Sequence, residues 1–231
     1  MWINWNDLPE SMKNEQVRHY YKILKKKQGS LIVKRGFDIV ASLVMLILLS
    51  WLFLILAVAI KADSHGPVFY RQVRVTTGNR DFRIFKFRTM INNADKIGSL
   101  VTTGNDSRIT RVGAKIRKCR LDEIPQLLNI LKGEMSFVGT RPEVRKYVDR
   151  YTDEMMATLL MPAGVTSLAS ISFKDEDELI DEYTEKGMSV DNAYMEKVLP
   201  EKMEYNLEYM NQFGVFRDIK LMIQTFVSVI K

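Results

Sequence analysis

The longest apolar run in the chain reads IVASLVMLILLSWLFLILAVAI, residues 39–60, and holds no charged residue, no glycine and no proline. About 20 apolar residues in a helix span the hydrocarbon layer of a bilayer, so this run predicts a membrane helix rather than a helix in a small soluble core. It starts too late, and has no A-x-A-like site behind it, for a secretory leader. Residues 66–88, GPVFYRQVRVTTGNRDFRIFKFR, alternate enough to predict a hairpin turning at Thr76 to Arg80, with Phe82, Ile84, Phe85 and Phe87 supplying its packing. Residues 92–107 read as a polar loop or short helix. The block from Arg108 to Leu131 has helical character interrupted at Pro125. Proline fits only the first turn of a helix, so a new helix is expected to begin near Asp122 and run through Gln126, Asn129 and Leu131. Near the end, Val215, Phe216, Ile219, Met222, Ile223, Phe226, Val227 and Ile230 recur at helical spacing. They predict an amphipathic helix facing either a core or a membrane surface. The run DEDELIDE, 175–182, predicts a solvated helix face.

Charge changes the reading of the apolar run. Lys22, Lys25, Lys26, Lys27, Lys34 and Arg35 precede it, and Lys61, Arg71, Arg74, Arg80, Arg83, Lys86 and Arg88 follow it. Basic flanks prefer the cytoplasmic side of a membrane, and here both flanks are basic. A helix that enters and returns on one face satisfies both. The bend is expected at Ser42 or at Ser50-Trp51, where a hydroxyl can bond back to a carbonyl of the preceding turn. The organisation that follows has an N-terminal interfacial segment (1–33, with Trp2, Trp5, Tyr20 and Tyr21 among lysines), a re-entrant membrane helix (34–62) and a cytoplasmic catalytic domain (63–231). The fold class is α+β and mostly helical: a monotopic membrane protein with a small β-hairpin and interfacial amphipathic helices.

Composition narrows the partners. The 231 residues carry a formal charge of +6, which favours an anionic partner such as phospholipid or a phosphorylated substrate. The basic residues are interleaved with the membrane run and no nucleic-acid-binding motif is present, so nucleic acid is not expected. Cys119 is the only cysteine and His19 and His65 the only histidines, which excludes a disulfide framework and disfavours a zinc site.

The stretch RKCRLDEIPQLLNILKGEMSFVGTRPE, 117–143, carries the candidate chemistry in Asp122 and Glu123. Acidic residues at a helix start are ordinary caps, and that plain reading stands beside a chemical one. Arg108, Arg111, Lys115, Arg117, Lys118, Arg120 and Arg141 crowd the same stretch. Carboxylates among arginines can hold a divalent cation and a polyphosphate, and an aspartate there can attack phosphorus.

Six runs taken together resemble the bacterial sugar transferases, also called monotopic phosphoglycosyl transferases. They are KRGFDIVASLVMLILLS (34–50), GPVFYRQVR (66–74), FRIFKFRTM (82–90), the block from Asp106 to Glu143 and, more loosely, GVTSLASI (164–171) and FRDIKLMIQT (216–225). The resemblance implies transfer of a sugar 1-phosphate from a UDP-sugar to undecaprenyl phosphate at the cytoplasmic face of the bacterial inner membrane. UMP would leave, and the reaction would be the first membrane step of a surface glycan. It implies a covalent aspartyl-phosphosugar at Asp122, with Glu123 completing the dyad and both carboxylates at a Mg2+ ion. Lys86, Arg88, Arg117, Gln126, Asn129, Arg141 and Pro142 match the surrounding substrate-binding signature. Arg35 and Asp38 match a charged pair at the mouth of the anchor. Membrane lipid is an implied partner, and a homodimer is left open. The alternative is a catalytically idle membrane scaffold of the same fold.

Some positions depart from the family pattern. Trp51 stands where a helix-breaking proline is usual, and Thr140 replaces the first proline of a Gly-Pro-Arg-Pro turn, a change expected to loosen the loop that aims Arg141. Thr76 and Asn79 stand at usual glycines. Met161 replaces a cation ahead of Pro162, a change expected near the place where the donor sugar is read.

Overall fold

The computed structural model describes residues 2–94, 106–173 and 176–230. Most of the polar stretch 92–107 and Asp175 of the acidic run lie outside them. The chain folds as α1 (Glu15–Lys25), α2 (Gln28–Leu48), α3 (Ser50–Asp63), β1 (Phe69–Thr76), β2 (Arg80–Phe87), α4 (Arg111–Lys118), α5 (Leu127–Lys132), β3 (Met135–Val138) and α6 (Arg145–Val148). It continues through β4 (Ala163–Thr166), α7 (Leu168–Ser172), α8 (Glu176–Glu185), α9 (Val190–Ala193), α10 (Leu199–Gln212) and α11 (Val215–Ile230). The expected balance holds: helices dominate, and the sheet content is two separate pairs of strands.

Residues read as an interfacial segment are part of the main core. Asn14 caps α1 by accepting the Val17 N–H at 2.8 Å. Met12, Val17 and Leu24 then pack in one buried cluster with Ala157, Met161, Tyr209 and Met210. Burying these side chains is worth roughly 1.5–3 kcal/mol each, so removing the segment would open the head rather than trim it. Met161 belongs to this cluster too and is 1% exposed. It lines no cavity near the carboxylates, which corrects its expected place beside a sugar.

The apolar run bends where one of the two candidate sites lay. Helices α2 and α3 meet at 61° across Leu49, whose φ of −94° and ψ of 4° leave the helical region. The Ser50 hydroxyl donates to the Ile47 carbonyl at 2.8 Å, giving that carbonyl a partner at the break without any proline. Ser42 makes the same kind of bond to Ile39, at 3.1 Å, inside unbroken helix. Among the described residues no single helix is long and apolar enough to cross a membrane, and this bent pair has the length and composition of a broken span or a re-entrant loop. Val40, Leu43, Ile47, Trp51, Leu54 and Val58 are exposed along it. The C-terminal helix has both faces: Leu221 is buried in the main core with Met222 packed against that core, while Phe216, Ile223 and Phe226 of α11 point outward at 89%, 60% and 69% exposed.

Arg35 and Asp38 do not pair with each other. Arg35 donates to the Ile130 and Leu131 carbonyls at 2.6 and 2.9 Å, closing the end of α5. Asp38 accepts the Ser136 hydroxyl at 3.0 Å and the Phe137 N–H at 3.2 Å on β3. One turn earlier, Lys34 meets Asp218 of α11 at 2.6 Å. Two successive turns of α2 are thus bolted to three elements of the head.

The hairpin forms as read. Strands β1 and β2 pair antiparallel from Phe69 with Phe87 to Thr76 with Arg80. Gly78 and Asn79 take the left-handed conformation in the turn, at φ 72° and 57°. Phe82 and Ile84 pack on Leu127 and Ile130 of α5, and Phe87 packs against Leu56 and Ile60 of α3. Phe85 points to the other face, half-buried under the Arg71 guanidinium at 4.2 Å and the Lys132 ammonium at 4.9 Å.

Strands β3 and β4 lie parallel, and Gly139 makes their junction close. Its N–H reaches the Thr166 carbonyl at 3.1 Å, and an added Cβ would stand 2.1 Å from the Pro162 carbonyl oxygen. Thr140, expected to be loose, is instead buried, with its hydroxyl on the Thr158 carbonyl at 3.3 Å and its carbonyl on the Gly164 N–H at 2.8 Å. Gly139→Ala is therefore expected to cost roughly 1–3 kcal/mol or more through overpacking. Denaturation midpoints check this against Gly29→Ala, whose Cβ would meet nothing within 4 Å and which is expected to leave the midpoint unchanged or raised.

Candidate active site

The carboxylates stand on a tight 3-10 segment, Leu121–Gln126, rather than on the α-helix expected from Asp122. Pro125 has no N–H to give to an α-helical bond, so the chain turns at the shorter spacing and becomes α-helical only at Leu127. Arg120 enters the segment in the left-handed conformation, φ 52°. Helix α4 is held against the sheet just upstream. Thr110 caps it by accepting the Gly113 N–H at 3.0 Å, and Asp63 accepts the Val112 N–H at 2.9 Å. Gly113 allows this approach, since a Cβ there would lie 2.1 Å from the Thr89 carbonyl oxygen. Arg117, on the last turn of α4, thereby comes to line the same cavities as Asp122.

Lys86 of β2 organises the pair. Its ammonium lies 2.8 Å from Glu123 Oε1 and 4.0 Å from Asp122 Oδ2. The two acids then diverge. Burial pushes the Asp122 carboxyl up from its ordinary range, with the neighbouring Glu123 charge adding to it against Lys86. Burial pushes Glu123 up as well, but Lys86 and Arg141 outweigh it and hold that carboxyl down at about 2. Glu123 is thus a firmly paired anion, while Asp122 is the less stabilised and more basic carboxylate of the two, the state suited to attack.

Three cavities meet at the dyad. A mixed, cation-lined one of about 440 Å³ between the hairpin and α4 is lined by Phe69, Tyr70, Met90, Arg108, Arg117 and Asp122. A second, polar one of about 500 Å³ holds both carboxylates together with Arg117, Arg120, Arg141, Glu143, Tyr194 and Lys202. The third, about 440 Å³, is an apolar groove between α2 and α11, lined by Phe37, Met45, Ile124, Met222 and Phe226, with Glu123 and Arg120 at its inner end. All three fall in the size range of small-molecule sites.

The expected site residues divide. Lys86, Arg117 and Arg141 stand with the dyad, and Arg141 also reaches the Ser170 hydroxyl at 3.2 Å. Arg88 is buried and closes the end of α3, donating to the Ser64 and His65 carbonyls at 2.6 and 2.9 Å. Asn129 is fully buried: its side chain accepts the Phe85 N–H at 2.8 Å and donates to the Arg83 carbonyl at 2.9 Å, tying β2 to α5. Gln126 is buried behind the 3-10 segment, and the Pro142 carbonyl accepts from Arg74 at 3.1 Å. Asn129, Gln126 and Pro142 shape the site from behind, and Arg88 also lines the first cavity with Asp122. Glu143, Tyr194 and Lys202 were not singled out from sequence. Only Glu143 had a signal, directly after Arg141-Pro142; the other two are masked by the ordinary helical pattern around them.

Among the described residues no group of three or more His, Cys, Asp or Glu side chains is placed to hold a metal. The dyad alone supplies two carboxylates, a donor set that fits a magnesium ion whose remaining ligands are phosphate oxygens and water.

The fold and site define a helix-anchored head whose carboxylate dyad stands among cations, between cation-lined cavities and an apolar groove. The chain belongs to the bacterial sugar transferase family, whose model matches residues 29–231. It is 37% identical over 201 residues to an Aeromonas hydrophila UDP-N-acetylgalactosamine-undecaprenyl-phosphate N-acetylgalactosaminephosphotransferase, covering 86% of this chain and 44% of that one. A UDP-glucose:undecaprenyl-phosphate glucose-1-phosphate transferase of Klebsiella pneumoniae is 34% identical over 202 residues, 85% of this chain and 40% of its own. One of the same description from Caulobacter vibrioides is 32% identical over 200 residues, 85% and 69% of the two chains. The chain spans less than half the length of the first two relatives.

Proposed function

We propose that this protein transfers a sugar 1-phosphate from a UDP-sugar to undecaprenyl phosphate at the cytoplasmic face of a bacterial inner membrane, beginning a surface glycan. The observation that carries the reading is the junction at Asp122 and Glu123 of two cation-lined cavities with an apolar groove that opens beside exposed apolar helices. A soluble diphosphate donor and a lipid acceptor need this combination. In the proposed order, an Asp122 carboxylate oxygen attacks the β-phosphorus, the bond to the bridging oxygen breaks, and UMP leaves with that oxygen. An oxygen of undecaprenyl phosphate, its isoprenoid chain in the groove between α2 and α11, then attacks the same phosphorus and frees the Asp122 carboxylate. Arg117, Arg120 and Arg141 bind phosphate oxygens and favour the charge that builds on them. A magnesium ion held by the dyad would neutralise further phosphate charge when bound. The bent helix pair and the outward face of α11 would sit in the membrane, keeping the groove at lipid depth.

The reading is tested by UMP release from a panel of UDP-sugars with magnesium and undecaprenyl phosphate. Release beyond one equivalent per chain that needs the lipid supports it. A folded, lipid-embedded protein silent on the whole panel would favour the scaffold.

The acid side of the rate profile gives a second check. Attack needs Asp122 ionised, so kcat/KM falls as pH drops through its pKa, which burial places above the ordinary aspartate value. Lys86 holds that pKa down. Lys86→Gln removes the cation, so the acid limb is expected to move to higher pH, beyond any uniform loss of rate. A limb that stays put would remove Asp122 as the titrating group.

A further inference from the structure

The second cavity has a wall that phosphate chemistry does not use. Beside Arg141, a chain of donors and acceptors runs from Arg74 to Glu143 (3.9 Å), from Glu143 to the Tyr194 hydroxyl (2.7 Å), on to the Lys202 ammonium (3.4 Å) and finally to Glu176 (2.6 Å). Glu143 and Tyr194 are each 4% exposed and Lys202 is 2% exposed. Burying such groups is costly unless each is paired, and here they are paired in a relay along a cavity rather than in one compact salt bridge. Tyr194 opens a π-helical turn, Tyr194–Val198, between α9 and α10. Wide turns of this kind re-aim side chains and recur at functional sites. The two carboxylates on this wall are matched by the Arg74 and Lys202 cations, which leaves no spare positive charge for phosphate and leaves carboxylate oxygens to accept from neutral hydroxyls.

We infer that Glu143, Glu176, Tyr194 and Lys202 form the sugar-reading site of the donor, gripping the hydroxyls of a neutral sugar ring and rejecting a carboxylated one. The inference rests on the proposed use of a UDP-sugar. The sugar follows the β-phosphate past Asp122 into the same cavity, and the relay meets it there with fixed acceptors and donors at alternating positions. A ring hydroxyl both donates and accepts, so it can join such a relay between neighbours. A site built on hydrogen bonds rejects a ligand with the wrong group more sharply than an apolar pocket does, because its own polar atoms are left unpaired. The carboxylate of a hexuronate would face Glu143 and Glu176.

The test is titration calorimetry of UDP, several neutral UDP-hexoses and a UDP-hexuronate against the full chain in lipid nanodiscs, in an Asp122→Asn background that prevents turnover. Before further substitution, one neutral sugar is expected to bind at least about 10-fold tighter than the hexuronate. Tyr194→Phe is expected to compress the spread among neutral sugars by about 10-fold, and Glu176→Gln to narrow the gap to the hexuronate, with UDP affinity unchanged in both. Retained UDP affinity shows that a variant is folded. If Tyr194→Phe does not fold, Glu176→Gln carries the test, since Glu176 lies at the rim with its side chain 27% exposed. Variants that keep the order and spacing of affinities, or weaken UDP and every sugar alike, overturn the sugar-reading wall and leave the transferase standing. Failure of every UDP-sugar to bind overturns both.

Discussion

Asp122→Asn is expected to lower UMP release by about four orders of magnitude while leaving the fold and UDP binding intact. The amide is isosteric but has no anionic oxygen to attack phosphorus, and nothing nearby is positioned to replace it. Glu123 is the obvious substitute, yet its carboxylate is held by Lys86 at 2.8 Å and its charge is shared with Arg141. A nucleophile so firmly paired is a poor one. Glu123→Gln is therefore expected to reduce the rate by a smaller factor, through lost positioning of Lys86, and the ratio of the two defects separates attack from support. Equal losses in both variants would mean that the carboxylates act only as a joint binding site.

The largest effect on stability is expected at Lys34, far from the chemistry. Lys34 and Asp218 lie 2.6 Å apart with both side chains under 8% exposed, and the Tyr209 hydroxyl donates to the second Asp218 oxygen at 2.8 Å. This cluster joins α2 to α10 and α11. Lys34→Met removes one charge and strands the other in a buried setting, which costs roughly 3–5 kcal/mol. The double variant Lys34→Met with Asp218→Asn keeps an acceptor for Tyr209 and removes the carboxylate paired with Lys34, leaving only buried Asp38 without that cation, so it is expected to recover part of the loss. Denaturation midpoints in nanodiscs read both. If the double variant is no better than the single one, the cost comes from the lost packing of the lysine stem and not from the stranded charge.

The contrast between these two sites shows what was legible in the sequence. The apolar run, the hairpin and the dyad were visible because each is a local pattern: a length, an alternation, an adjacent pair among arginines. The bend could be narrowed to Ser42 or Ser50-Trp51 from charge and a hydroxyl, and only the structure chose the second. Arg35 and Asp38 looked like a pair because they are a turn apart, but each is turned to a different strand or helix, and no spacing rule reports that. Arg88 and Asn129 sit inside a dense signature that does not tell which of its members also hold the fold. Their buried hydrogen bonds to backbone show them holding α3 and β2. Residues 1–33 read as an interfacial segment because aromatics beside lysines suit an interface, whereas Met12, Val17 and Leu24 pack with Ala157, Met161, Tyr209 and Met210, far along the chain. Lys202 and Tyr194 left no trace, since a buried lysine in an amphipathic helix is indistinguishable from a surface one until the fold closes over it.

The most direct measurement of the central claim is the intact mass of the protein after brief exposure to a UDP-sugar and magnesium with no lipid acceptor present. The account predicts up to one UMP released per chain and a mass increase of one sugar phosphate, mapped to the peptide holding Asp122 and discharged when undecaprenyl phosphate is added. UMP appearing only once the lipid is present, with no adduct at any time, would mean a single direct displacement and would contradict Asp122 as the nucleophile.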